Sequence, residues 1–141
     1  MPANSITFDV DWADCDPAGI VFYPQFFRMM NTGTHRLFAD AGLAYIELTR
    51  RYTPFGTPLL DVQSSFRSPA RFGDRITLES SIAEVREKTF LVDHVMKAAG
   101  RVVFEAREVR VWAIPDETKP NGMRAVPIPA EIRELLGRWT Q

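Results

Sequence analysis

The sequence predicts an α+β fold in which one curved antiparallel β-sheet wraps around one apolar helix. Two patterns predict it. An alternating strand and a long apolar helix open the chain, and four more alternating runs follow before a short amphipathic helix closes it. With 141 residues the chain has the size of one domain, taken as residues 1–141.

In the first run, Ile6, Phe8, Val10 and Trp12 alternate with Thr7, Asp9 and Asp11, the two-residue period of a half-buried strand. Asp14-Cys15-Asp16-Pro17-Ala18-Gly19 then breaks the pattern as a loop. Pro24 suits the first turn of a helix, where its missing N–H costs nothing. Apolar residues at Phe26, Met30, Leu37 and Ala41, with Phe27 and Phe38 beside them, give that helix a wide apolar face. Gly33 lies on the same face. It costs up to about 1 kcal/mol relative to Ala, so close approach of a sheet or ligand is the expected compensation. Gly42 supplies the stop, and a weaker helix is expected over Ala44 to Arg50.

Leu60, Val62, Ser64 and Phe66 alternate in the next strand, and a turn over Ser68 to Asp74 follows. Ile76, Leu78, Ser80 and Ile82 form the third run, and Phe90, Val92, His94 and Met96 share one face of the fourth. In the last run the apolar phase moves from Val102, Phe104 and Ala106 to Val109, Val111 and Ala113, which predicts a bulge near Arg107. After the polar loop Asp116 to Met123 a further strand is expected at Arg124 to Ile128. Ile132, Leu135, Leu136 and Trp139 then form the stripe of the closing helix. One helix covers only part of a five-stranded sheet, so pairing with a second copy of the chain is expected.

Composition narrows the function classes. Hydrophobic residues make up 45% and charged residues 25%, which excludes wholesale disorder. The net charge of -1 leaves no broad electrostatic footprint for nucleic acid or an anionic membrane, so an anionic ligand needs a local basic patch. Cys15 is a lone cysteine and cannot form an internal disulfide. Neither a secretory signal nor an apolar run long enough to span a bilayer is visible, and a cytoplasmic protein is expected. The ten Phe point to a thick core or a large apolar pocket.

The run Asp14-Cys15-Asp16-Pro17-Ala18-Gly19-Ile20-Val21-Phe22-Tyr23-Pro24 closely resembles the 4-hydroxybenzoyl-CoA thioesterase family of hot-dog-fold proteins. Pro69-Ala70-Arg71-Phe72-Gly73-Asp74 resembles a sheet turn that recurs across hot-dog thioesterases. Gly56-Thr57-Pro58 and Arg86-Glu87-Lys88-Thr89-Phe90 extend the resemblance over nearly the whole chain. It implies a hot-dog fold, an obligate homodimer that often pairs into a tetramer, and active sites at the dimer interface. It also implies an acyl-CoA substrate, hydrolysed to a carboxylic acid and free coenzyme A without a metal or prosthetic group. The family's catalytic carboxylate falls on Asp16 and the start of its helix on Phe22 to Pro24. The same resemblance places Thr57, Arg86, Lys88 and Thr89 among the substrate-binding residues, with Arg86 and Lys88 on one strand face as the basic patch.

Thioester hydrolysis needs a nucleophile or general base at the carbonyl carbon and donors aimed at the developing oxyanion. Asp16 supplies the first, as nucleophile or as base, and the Tyr23 backbone N–H at the helix start supplies the second. Asp16 can alternatively cap its own turn before Pro17. Asp14 is expected to be structural, and Cys15 also, since the flanking carboxylates raise its thiol pKa. Phe22, Phe26 and Met30 are core residues by pattern, and the family's first helical turns also line the acyl pocket. Family members that handle a hydroxylated ring carry polar side chains, including a carboxylate, at positions matching Phe26 and Asn31. An amide at Asn31 points to benzoyl or another mainly apolar acyl group as well as hydroxybenzoyl. Arg71 is expected to stabilise its turn with Asp74. His35 and His94 lack a partner at metal-ligand spacing. Two rival functions remain: a hot-dog hydratase or dehydratase, separated by whether a saturated acyl-CoA is consumed, and a non-catalytic acyl-CoA-binding module, separated by binding without thiol release.

Overall fold

The computed structural model describes residues 3–52 and 54–140; Met1, Pro2, Thr53 and Gln141 lie outside them. Its elements follow the expected order: β1 (Asn4–Asp9), α1 (Tyr23–Asp40), α2 (Tyr45–Arg51), β2 (Leu59–Phe66), β3 (Arg75–Val85), β4 (Thr89–Ala98) and β5 (Arg101–Val111). β6 (Ala113–Pro115), β7 (Met123–Ala125) and α3 (Ala130–Gly137) complete it. The five long strands form one antiparallel sheet in the order β1-β3-β4-β5-β2, leaving β1 and β2 as edges. The strand expected after the polar loop is β7. It pairs with β6 in a separate ribbon rather than joining the main sheet.

The first strand ends earlier than its alternation suggests. Asp11 accepts the Trp12 N–H at 2.8 Å while Asp14 accepts the Asp11 N–H at 2.9 Å, and this reciprocal cap winds Trp12–Asp14 into a short 3-10 turn. Trp12 is therefore 69% exposed instead of continuing the core face, and it packs edge-on against Phe72.

α1 lies on the sheet's inner face, and Gly33 explains how closely. A Cβ built there would stand 2.7 Å from both Leu78 Cδ2 and Ser80 Oγ, so only glycine permits this contact. Around the helix start Phe26, Met29 and Met30 pack on Leu78, Met96 and Phe104. Around its end Leu37 and Phe38 pack on Ile82, Phe90 and Leu136 of α3. Ala41, read as part of the helix stripe, falls at the C-cap.

The expected bulge near Arg107 is not there. Pairing of β5 with β4 is continuous from Phe104 to Val111, and its irregularity falls at Val103, between the pairs Met96–Phe104 and Lys97–Val102. The apolar phase changes for a different reason. Phe104, Ala106, Glu108 and Arg110 all occupy alternate positions, opposite Met96, His94, Val92 and Phe90, so the inner face simply turns from apolar to charged. Both charged residues are buried.

Candidate active site

Asp16 sits in a tight turn built by its own carboxylate. Its Oδ1 accepts the Ala18 N–H at 2.9 Å, its carbonyl accepts the Gly19 N–H at 2.9 Å, and Gly19 takes the left-handed conformation at φ 78°. The returning chain is then fixed by two backbone bonds: Val21 N–H to the Ala70 carbonyl and Phe22 N–H to the Asp14 carbonyl, both 2.8 Å. These bonds deliver Phe22 to the N-cap of α1, with Tyr23 and Pro24 opening the helix. As the first helical amide, the Tyr23 N–H has no carbonyl of its own helix to meet, and it carries the positive end of the helix dipole.

Asp16 and this helix start both line one cleft of about 610 Å³, whose walls also include Phe26, Phe66 and Ala70. Phe26 stacks on Phe104 with centroids 5.1 Å apart and meets Phe66 edge-on, giving the cleft a rigid aromatic floor. Beside an apolar wall, an ionised oxygen and an unpaired amide suit attack on a carbonyl and stabilisation of its oxyanion.

The neighbours of Asp16 are committed elsewhere. Asp14 caps the 3-10 turn and pairs with Arg28 at 3.3 Å. The Cys15 thiol is pushed up, first by burial and then by the carboxylates of Asp14, Asp16 and Asp11, which disfavours the thiolate. The turn at Arg71 closes through its backbone: the Arg71 N–H donates to Asp74 Oδ2 at 2.9 Å, so the arginine backbone, not the guanidinium, makes the expected contact. His35 stands in the second half of α1, its ring tilted against Tyr45 with centroids 4.2 Å apart, and its pKa is lowered by burial and by Arg110.

The remaining candidates separate. Met30 is buried in the core cluster that also holds Phe26. Arg86 and Lys88 do not lie on a strand face. They occupy the hairpin between β3 and β4, with Thr89 opening β4, and Arg86 pairs with Glu84 at 2.6 Å. β3 spans 11 residues, about 35 Å of strand at ~3.3 Å per residue, and this hairpin lies at the end of β3 opposite the Asp16 end of the sheet. Asn31 and Thr57 meet instead at Arg110, whose Nη2 donates to Asn31 Oδ1 at 2.9 Å and whose Nη1 donates to the Thr57 carbonyl at 3.1 Å.

Arg110 belongs to a buried polar network that alternation counting misses. Arg110 Nη2 donates to Glu108 Oε2 at 2.7 Å, and Glu108 Oε1 accepts from Thr34 Oγ1 at 2.5 Å and His94 Nε2 at 2.9 Å. His94 Nδ1 in turn hydrogen-bonds Ser80 Oγ at 2.8 Å. Burial pushes the Glu108 carboxyl up, but the hydrogen bonds and charges of His94 and Arg110 outweigh it and hold the pKa at about 2. The available signal was two charged residues, spaced by two, in line with Phe104 and Ala106.

Five antiparallel strands curled on one central helix, entered through an aspartate loop, define a hot-dog fold. A family model described as the thioesterase-like superfamily matches residues 10–136, and the chain belongs to that family. It is 32% identical to 4-hydroxybenzoyl-CoA thioesterase of Pseudomonas sp. (strain CBS-3), covering 94% of this chain and 98% of that protein. Among solved structures, a mutant 4-hydroxybenzoyl-CoA thioesterase complexed with 4-hydroxybenzoyl-CoA superimposes with a TM-score of 0.86 at 30% identity, over 96% of this chain and 99% of that one. A gentisyl-coenzyme A thioesterase gives a TM-score of 0.81 at 31% identity, over 92% and 99% respectively.

Proposed function

We propose that the protein is an acyl-CoA thioesterase that hydrolyses an aromatic or short-chain acyl thioester to the free acid and coenzyme A. The observation that carries this reading is the convergence of Asp16 and the Tyr23 amide on one aromatic-walled cleft. The thioester carbonyl enters with its oxygen toward the Tyr23 N–H. Asp16 then either attacks the carbon or takes a proton from a water that does. In the first case, collapse of the tetrahedral oxyanion expels the coenzyme A thiolate and leaves a mixed anhydride, which water hydrolyses to the free acid and the Asp16 carboxylate. In the second, collapse expels the thiolate and leaves the free acid directly. These steps use the chain's own carboxylate and amide, with no metal or prosthetic group. Phe22 and Phe26 supply the apolar surround of the acyl group, with Met30 packed in the core behind Phe26.

The working unit in this reading is a homodimer, itself pairing into a tetramer, in the cytoplasm. The edge strand β2 supports it, since Leu59, Leu60 and Phe66 are exposed along an unpaired sheet edge. The distance of Arg86, Lys88 and Thr89 from their own Asp16 supports it too. In an antiparallel pair the hairpin of one copy approaches the cleft of the other, and there the two basic side chains meet the coenzyme A phosphates. A thiol-release assay with aromatic, short-chain and long-chain acyl-CoA thioesters tests the proposal. Release from a saturated acyl-CoA is expected, whereas binding without release from any of them would overturn it.

A further inference from the structure

Asp16 lies at the tip of a small hairpin that joins β1 to α1. The base is closed by the Phe22 N–H on the Asp14 carbonyl at 2.8 Å. The tip is closed by the Asp16 N–H on the Ile20 carbonyl at 3.0 Å and the Gly19 N–H on the Asp16 carbonyl at 2.9 Å. These bonds fix the shape of the hairpin. Its tilt over the helix start is left to whatever else holds the base, and the gap between Asp16 and the Tyr23 N–H depends on that tilt.

The Asp14 side chain, 14% exposed, supplies the further attachments. Its Oδ2 accepts the Asp11 N–H at 2.9 Å, just past β1, and its Oδ1 accepts from Arg28 Nη2 of α1 at 3.3 Å. Arg28 follows Tyr23 by five residues, about 7.5 Å along the helix at ~1.5 Å per residue. Arg28 Nε donates to Gln25 Oε1 at 2.8 Å, nearly one turn back, which orients the guanidinium toward the hairpin. Among the described residues, the Arg28–Asp14 contact is the only side-chain hydrogen bond joining residues 11–22 to α1. The exit from β1, the base of the hairpin and the helix therefore meet at one carboxylate.

We propose that Asp14 and Arg28 are positioning residues, whose ion pair straps the Asp16 hairpin to α1 and so fixes the Asp16 carboxylate relative to the Tyr23 amide. This rests on the thioesterase reading and adds two residues to its machinery. With Arg28 half-exposed, the pair adds little to global stability. Its weight falls on catalysis, because a displacement of ~1 Å at a reacting group can slow a reaction by on the order of 10²-fold. That loss belongs to kcat, since the acyl thioester still binds between the same walls.

The test measures thiol release and melting temperature in Arg28→Met, which keeps the aliphatic stem, in Asp14→Asn, which keeps an acceptor for the Asp11 N–H, and in the double variant. Each single change is expected to lower kcat by about tenfold, with KM within about threefold and the melting temperature within about 4 °C of wild type. Both changes break the same pair, so the double variant should be no slower than the slower single one. In Tyr23→Pro, which already lacks the oxyanion donor, Arg28→Met should cost less than about threefold more. If Asp14→Asn does not fold, Arg28→Met in these two backgrounds still decides the matter. A kcat within about threefold of wild type in Arg28→Met, a loss that tracks a fallen melting temperature, or losses that multiply in the double variant would overturn the inference alone. Absence of thiol release by the wild type would instead overturn the thioesterase reading.

Discussion

Glu108 is ionised in the interior because His94, Thr34 and Arg110 together satisfy both its oxygens. Its carboxyl pKa is lowered from 4.5 to about 2. A depressed carboxylate pKa contributes stability that is present above the unfolded value and lost as pH falls through the folded one. The contribution is on the order of 3 kcal/mol and should disappear between about pH 4.5 and pH 2. Glu108→Gln is expected to flatten that part of the stability curve in denaturant titrations taken at successive pH values. A wild-type curve already flat over this range would count against the ionised assignment. A second residue-scale prediction isolates the oxyanion donor. Tyr23 is the first residue of α1, where proline is tolerated, so Tyr23→Pro removes the N–H together with the ring that packs on Phe22, and Tyr23→Ala, which removes the ring alone, is its control. The kcat of Tyr23→Pro should fall by roughly 10²–10³, while Tyr23→Ala, which retains the amide, should stay close to wild type. At this scale the proximity of Asp16 to the start of α1 was legible because the loop that carries Asp16 runs directly into Tyr23. Glu108 and Arg110 were not, because counting alternation assigns charged residues to the outer face unless a partner across the fold is known.

At the scale of elements, α1 and β3 meet through the absent side chain of Gly33. Alanine is the better helix former by up to about 1 kcal/mol, yet its Cβ would press on Leu78 and on Ser80, which is held by His94. Overpacking of this kind typically costs 1–3 kcal/mol, so Gly33→Ala should lower the denaturation midpoint despite its helix propensity. A raised midpoint would mean that helix and sheet are not in contact there. Gly33 on an apolar face was enough to expect a close neighbour, and periodicity placed the five main strands. Local hydrogen bonding decided what periodicity could not. The cap between Asp11 and Asp14 ended β1 before Trp12, and the buried charges of β5 mimicked a bulge that lies instead at Val103.

For the whole molecule, the exposed apolar edge of β2 and the distance of the β3–β4 hairpin from Asp16 both favour function as a pair. Leu60→Lys, on an exposed edge position, should shift the particle toward the monomer in light scattering and lower kcat/KM together with it. A monomeric wild type with full activity would show that one chain holds the complete site. The basic segment at Arg86 was readable as a motif, but its place relative to the cleft was not, since that depends on how strands extend across the sheet and between copies. The central claim is chemical and is tested most directly by steady-state thiol release from the Asp16→Asn variant. Asparagine keeps an oxygen for the Ala18 N–H, so the turn and the melting temperature should be preserved, while kcat falls by roughly 10²–10⁴. Turnover within about threefold of wild type would contradict the account.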